Sequence, residues 1–297
     1  MTDADALRAT GALHCNLNVR TLAGAVGVYE GLQLRVRMRS RAEGQDATGL
    51  GIARPTDSEA WFLYDHRGGR SAPAVELVEW IQPKTEGASY AHPSEVGMQA
   101  LGFDVADAGT AAEEMVKAGA QVRPGGPQGV DTVVLDADGV AVELTTAGAP
   151  APTLRYARIV CADLAASANW YGRLGFAAVG PERSLAWEGG TDRVAVREQR
   201  VALAGPPSLE LRLTQWPDNT PRGRAHAQAN HRGLFRMALA VTDVRAASDA
   251  ARRVGGIDAS DPSWIPLPGT PLGGLWVSFF RDPNGVMVEY VERPAAS

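Results

Sequence analysis

Two copies of one motif limit what this chain of 297 residues can fold into. Asp136-Ala137-Asp138-Gly139-Val140-Ala141-Val142-Glu143 recurs as Asp282-Pro283-Asn284-Gly285-Val286-Met287-Val288-Glu289, with the Asp, the Gly, two Val and the Glu unchanged. Each copy is a turn feeding an alternating apolar run, and so a strand. Glu recurs between two apolar residues at Val75-Glu76-Leu77 and Leu209-Glu210-Leu211. Such self-similarity reports repeated copies of one supersecondary unit. Alternate strand residues face opposite sides, so each Glu faces away from its neighbours' packing surface. A carboxylate on the inner face of a sheet needs a partner, whether a metal ion, a substrate proton or an arginine.

Between these runs the hydrophobic period switches. In 13–19, Leu13, Cys15, Leu17 and Val19 form an apolar strand face, and His14, Asn16 and Asn18 the polar one. Residues 22–32 have helical spacing, with Leu22, Ala25, Val26 and Tyr29 on one stripe. Strand-like segments at 34–39, 59–65 and 74–80 complete a βαβββ unit. The order recurs from Gly97, from Leu154 and from Phe235; Tyr29 matches Tyr171, and Asp107 matches Asp243. The Pro- and Ala-rich stretch 147–152 carries no periodicity and marks a domain boundary. The expected class is α+β, with four βαβββ units in two tandem domains. One is 11–147, with units 11–82 and 97–147; the other is 153–293, with units 153–216 and 232–293. The polar segment 217–232 reads as an exposed crossover.

Hydrophobic content of 45% supports a sizeable core, and a net charge of -5 argues against a nucleic-acid partner. Arg35, Arg37, Arg39 and Arg41 alternate onto one side of a strand and read as a solvated face. Cys15 and Cys161 sit far apart in apolar runs and read as small buried hydrophobes. The acidic N-terminus lacks the features of a signal peptide, and no apolar run approaches membrane-spanning length. The expectation is a cytoplasmic protein with no membrane partner.

The signature Ile159-Val160-Cys161-Ala162-Asp163-Leu164, followed by Trp170-Tyr171 and Leu174-Gly175-Phe176, resembles the vicinal oxygen chelate superfamily of glyoxalases, extradiol dioxygenases and bleomycin-resistance-type proteins. So does the closing Phe279-Phe280-Arg281-Asp282-Pro283-Asn284-Gly285 with Val288-Glu289. The resemblance spans residues 11–293. It implies that paired units form an open, cup-shaped mixed sheet with helices outside. It also implies a divalent metal in the cup, held by a first-strand His or Gln and the last-strand Glu of each unit. Carried onto this chain, the first-strand sites are His14, Ala100, Tyr156 and Arg236, and the last-strand sites Glu76, Glu143, Glu210 and Glu289.

Pairing the units in sequence order gives an N-terminal cup in which His14, Glu76 and Glu143 would hold Fe, Mn, Ni, Co or Zn and carry the catalysis. Asn16, Asn18 and Trp61 would contact substrate there. Ala100 coordinates nothing, and Gln99 reaches the cup only if a bulge reverses the register. In the C-terminal cup Tyr156, Arg236 and Glu289 would bind a small molecule. Arg158 and Arg212 share that inner face, so Glu210 and Glu289 are expected to bond to arginines and not to an ion. Two functions follow. One is a metal-dependent glyoxalase- or dioxygenase-like enzyme, with isomerase, lyase or oxygenase chemistry on a small oxygenated substrate such as a secondary metabolite. The other is a metal-free protein that sequesters a small molecule; a homodimer is compatible with both. A third arrangement pairs the first unit with the fourth and the second with the third. It would set His14 and Glu76 beside Arg236 and Glu289 and disfavour an ion.

Overall fold

The computed structural model describes residues 7–292 apart from 190–191, 207, 219–222 and 268–272. The start of the N-terminal lead, part of the 217–232 segment and the expected domain end at 293 therefore lie outside the described residues.

Unit one comprises β1 (Gly11–Val19), α1 (Leu22–Gly31), β2 (Arg35–Ala47), β3 (Ile52–Tyr64) and β4 (Ala74–Gln82). Unit two comprises β5 (Gly97–Val105), α2 (Ala108–Lys117), β6 (Gln121–Arg123), β7 (Gly126–Pro127), β8 (Thr132–Leu135) and β9 (Ala141–Thr146). Unit three runs through β10 (Thr153–Val160), α3 (Leu164–Arg173), β11 (Phe176–Ala178), β12 (Arg183–Gly189), β13 (Asp192–Leu203) and β14 (Glu210–Gln215). Unit four adds β15 (Gly233–Val241), α4 (Val244–Arg253), β16 (Ser263–Pro266), β17 (Gly274–Arg281) and β18 (Met287–Glu292). Each of these four helices starts on a side-chain cap: Thr21, Asp107, Asp163 and Asp243 accept from the backbone N–H of Gly24, Thr110, Ala166 and Ala246. Such a cap is worth about 1 kcal/mol. The expected α+β class of βαβββ units is the observed one.

The units do not pair in sequence order. One sheet runs β16-β17-β18-β15-β1-β4-β3-β2, joining unit four to unit one through antiparallel β15 and β1. The other runs β6-β8-β9-β5-β10-β14-β13-β12-β7 and joins units two and three through β5 and β10. Because β7 belongs to unit two and pairs with β12, this second sheet curls back toward its own start. The third arrangement above is thus the observed one, and the expected grouping of His14 and Glu76 with Glu143 is corrected. Sequence repeats identify equivalent units, whereas partners are chosen by ladders between residues far apart in sequence, such as His14 with Ala238 and Ala100 with Arg158.

The two units within each half of the sequence are instead joined from helix to turn. Tyr29 Oη on α1 donates to Asp136 Oδ2 in the turn of unit two at 2.8 Å, and Tyr171 Oη on α3 donates to Asp282 Oδ2 in unit four at 3.0 Å. Asp136 Oδ1 also accepts from the Asp138 and Val140 N–H groups, as Asp282 Oδ1 does from those of Asn284 and Val286. The repeated motif therefore closes a hairpin and bolts it to the helix of the preceding unit. One apolar core, including Leu17, Phe103, Tyr171 and Tyr290, runs between the sheets through all four units. Cys15 and Cys161 lie in it, and burial pushes both thiols up to about 12.

Burial pushes the Asp136 carboxyl up to about 6, against the hydrogen bonds it accepts. A folded value above the unfolded one means that the folded state binds the extra proton, so this group's contribution falls as pH rises from about 4 to about 6. Asp136→Asn should keep the acceptor and remove that slope, worth roughly 2–3 kcal/mol. Urea unfolding midpoints of the two proteins across that range test this, and parallel profiles would refute it.

Within the expected crossover 217–232, residues 217–218, 223–224 and 227–228 are exposed as expected, whereas its last residues are tied into the fold. Ala229 and Asn230 are buried, the Ala229 N–H donates to Leu50 O, and Asn230 O and Glu86 O accept from the N–H groups of Glu86 and Arg232. The rings of His226 and His231 stack at 3.7 Å, with Tyr90 on the other side of His226 at 4.3 Å.

Candidate functional site

The cup of units one and four is built around the β1–β15 ladder. Asn16 pairs with Arg236 and His14 with Ala238, which places His14 and Arg236 at equivalent positions about a local two-fold. Parallel β4 sets Glu76 opposite Asn16, and parallel β18 sets Glu289 opposite Ala238. The four side chains converge. Arg236 Nη2 donates to Glu76 Oε1 and Oε2 at 3.0 and 2.8 Å, and its Nε to Glu289 Oε2 at 2.8 Å. His14 Nε2 lies 3.3 Å from Glu76 Oε2 and 3.3 Å from Glu289 Oε2, its ring set edge-on against Phe62. Burial pushes the Glu289 carboxyl up, but Arg236 and His14 outweigh it and hold it down to about 2.

This quartet forms the floor of a cavity of about 1320 Å³, large beside the ~300–1,000 Å³ of ordinary ligand pockets. Its walls are largely apolar and aromatic, with Phe62, Trp80, Val277 and Phe279 among them and Trp264 at the half-exposed edge. The β2–β3 hairpin arches across the mouth, where Leu50 O bonds to the Ala229 N–H.

A divalent ion does not fit this donor set. The guanidinium of Arg236 stands at the place the fold gives to a first-strand ligand, and it bridges both carboxylates. It stays charged at any working pH and offers no lone pair. An ion bound through those oxygens at ~2 Å would face a fixed cation and first have to break its bonds. Among the described residues, no group of three or more His, Cys, Asp or Glu is arranged to hold a metal.

The remaining expected site residues divide differently. Asn16 and Asn18 lie on the inner face but are fully buried behind the floor. Asn18 Oδ1 accepts from Trp80 Nε1 and its Nδ2 donates to His231 O, so it positions a cavity wall, while the Asn16 amide meets no hydrogen-bond partner among the described residues. Trp61 is corrected: Ala60, Phe62 and Tyr64 face the cavity, so Trp61 points outward, stacked under Arg39 and donating to Glu59. Trp80 and Trp264 belong to an aromatic set of which the sequence leads one to expect some members in a cup, and both line this one, whereas Phe62 and Phe279 were not singled out, although alternation from an inward Glu could have selected Phe62.

Glu143 and Tyr156 belong to the other cup, which is filled. Arg158 is fully buried there; its Nε and Nη2 donate to Glu143 at 2.8 Å each, and its Nη1 donates to Glu198 at 2.7 Å and to Thr214 at 2.9 Å. Tyr156 Oη donates to Glu143 at 2.5 Å, and Arg212 stacks 3.6 Å above the Tyr156 ring. Burial pushes the Glu143 carboxyl up, but Arg158 and Tyr156 prevail and hold it below the usual carboxylate range. Register also corrects the third last-strand position. Arg212, not Glu210, pairs with Arg158 as Glu76 pairs with Asn16; Glu210 lies opposite Tyr156 and binds Arg200 and Arg212. Ala100 lines the same cup, and Gln99 turns to the Glu95 carbonyl.

Two curled sheets of paired βαβββ units, one open over a polar floor and one filled, define a tandem cup protein. The chain belongs to the Glyoxalase/Bleomycin resistance protein/Dioxygenase superfamily, whose profile matches residues 11–144 and 153–290. Members typically use divalent metals, bind small-molecule substrates and often act as oligomers. Membership thus supports metal-dependent enzymes in general terms, while the residues of this cup depart from that pattern. Glyoxalase I from Zea mays is similar in structure, with 18% identity and a TM-score of 0.64 over 95% of this chain and 92% of that one. A putative dioxygenase from Bacillus subtilis subsp. subtilis is similar at 15% identity and a TM-score of 0.60, covering 97% and 87%. At these identities the likeness concerns the fold. No curated protein sequence matches the chain. No described helix is long and apolar enough to cross a membrane.

Proposed function

We propose that the chain binds a largely apolar organic molecule in the cup of units one and four without a metal ion, as a sequestering or carrier protein. The observation that carries this is Arg236, bonded to both Glu76 and Glu289 at the base of a cavity with aromatic walls. The floor supplies orientation through a few polar groups, and the walls supply affinity by burial, the usual division in small-molecule sites. Elemental analysis after equilibration with Mn, Fe, Ni, Co and Zn should find no stoichiometric ion. Titration with an apolar aromatic ligand, followed by Trp fluorescence, should be unchanged by a chelator. An ion present at one per chain and lost together with ligand binding in Glu76→Gln would sink the reading.

One observation favours a second reading. His14 Nε2 lies within 3.3 Å of both carboxylates, and its ring lines the cavity. A ligand with an acidic proton would meet a base there, and turnover of that ligand should disappear in His14→Gln.

A further inference from the structure

The floor of the open cup is not fully used by its own bonds. Arg236 spends Nε on Glu289 and Nη2 on Glu76, which leaves its Nη1 donors without a protein acceptor among the described residues. Glu289 Oε2 takes the Arg236 bond and the His14 contact, which leaves Oε1 without a protein donor among them. Neither atom is sealed from solvent, and both side chains line the cavity. What the cavity meets at its base therefore includes one free donor group and one free acceptor, beside the His14 ring, whose Nε2 is the atom turned to the carboxylates. The fixed charges there are two carboxylates against one guanidinium, so they do not cancel. An anionic end group would enter beside two carboxylates whose arginine is already shared. A purely hydrocarbon end would cover the free Nη1 and Oε1, and polar groups left unpaired on burial oppose binding.

We propose that the ligand of this cup is an uncharged amide or lactam on an apolar, aromatic-sized body, its carbonyl accepting from Arg236 Nη1 and its N–H donating to Glu289 Oε1. This names the ligand class of the binding site proposed above and rests on that reading.

Three probes of one tricyclic shape separate the possibilities: phenanthridinone, a lactam; phenanthrene, the bare hydrocarbon; and phenanthrenecarboxylate, an anion. Quenching of Trp fluorescence in the wild-type protein reads each affinity. Phenanthridinone should bind at least about tenfold more tightly than phenanthrene, as two hydrogen bonds to ionised groups would supply. The carboxylate should bind more weakly than the hydrocarbon. Ala60→Phe, which places a ring inside the cavity, should weaken all three. If the hydrocarbon or the carboxylate equals or exceeds the lactam while all depend on Ala60, the head-group assignment is wrong and the binding reading stands. If none of the three binds, or if Ala60→Phe leaves their binding unchanged, both are overturned.

Discussion

Arg158→Met should cost about 3–5 kcal/mol, a large share of the 5–15 kcal/mol that keeps a domain folded. Arg158, Glu143 and Glu198 are all sealed from solvent, and one guanidinium holds both carboxylates. Methionine fills much of the same space but, among the described residues, leaves Glu143 hydrogen-bonded by the Tyr156 hydroxyl and Glu198 by the Arg183 guanidinium, with Arg212 acting on both at longer range. The cost is therefore uncompensated charge more than lost packing. Adding Glu143→Gln to Arg158→Met should then restore a good part of the loss, since the amide needs no counter-charge. Urea unfolding of the two variants and the wild type measures both effects. A loss below ~1 kcal/mol for the single variant, the level of an exposed pair, would show that the second cup does not depend on its ion network.

That network also explains how far the sequence could be read. The alternation around each Glu, the capping Asp residues and the repeated Asp-x-x-Gly turns are local signals, and each maps onto a strand, a helix start or a hairpin in the fold. Pairing of the units is non-local, and every unit presents the same alternating pattern, so periodicity could not choose between partners. Charge balance could have chosen. Pairing in sequence order would have buried Glu76 and Glu143 together with His14 and no arginine on the first or last strands, while Arg158, Arg212 and Arg236 crowded the other cup. The observed pairing gives Arg236 to Glu76 and Glu289, and Arg158 to Glu143 and Glu198. Glu198 escaped notice because 183–203, the long hairpin of β12 and β13, was not recognised as strand. The exact register was equally hidden: Glu210 and Arg212 lie on one face, and only the ladder shows which of them stands opposite Arg158.

Arg236 offers the sharpest test of how this fold handles its central cation. Its guanidinium takes the place of one of four ligand positions, and the other three, His14, Glu76 and Glu289, are already gathered at one point. Arg236→Met should destabilise the chain by about 3–5 kcal/mol, because two buried carboxylates lose their common partner. It should also change the acid limb. The depressed Glu289 carboxyl contributes stability that is complete above its unfolded value near 4.3 and is lost as pH falls toward about 2. Without Arg236 that contribution, of order 3 kcal/mol, should shrink and the acid transition should move to higher pH. Arg236→His replaces the fixed cation with a neutral nitrogen donor and completes a set of two imidazoles and two carboxylates that suits Zn, Fe, Ni, Co or Mn. The variant should then bind one divalent ion per chain by elemental analysis and be stabilised by it, by about 2.7 kcal/mol at a hundredfold excess over the dissociation constant. Wild-type protein treated in the same way should show neither the ion nor the stabilisation. Equal metal binding by both would mean that Arg236 yields its place to an ion, and the metal-free reading of the cup would fall with it.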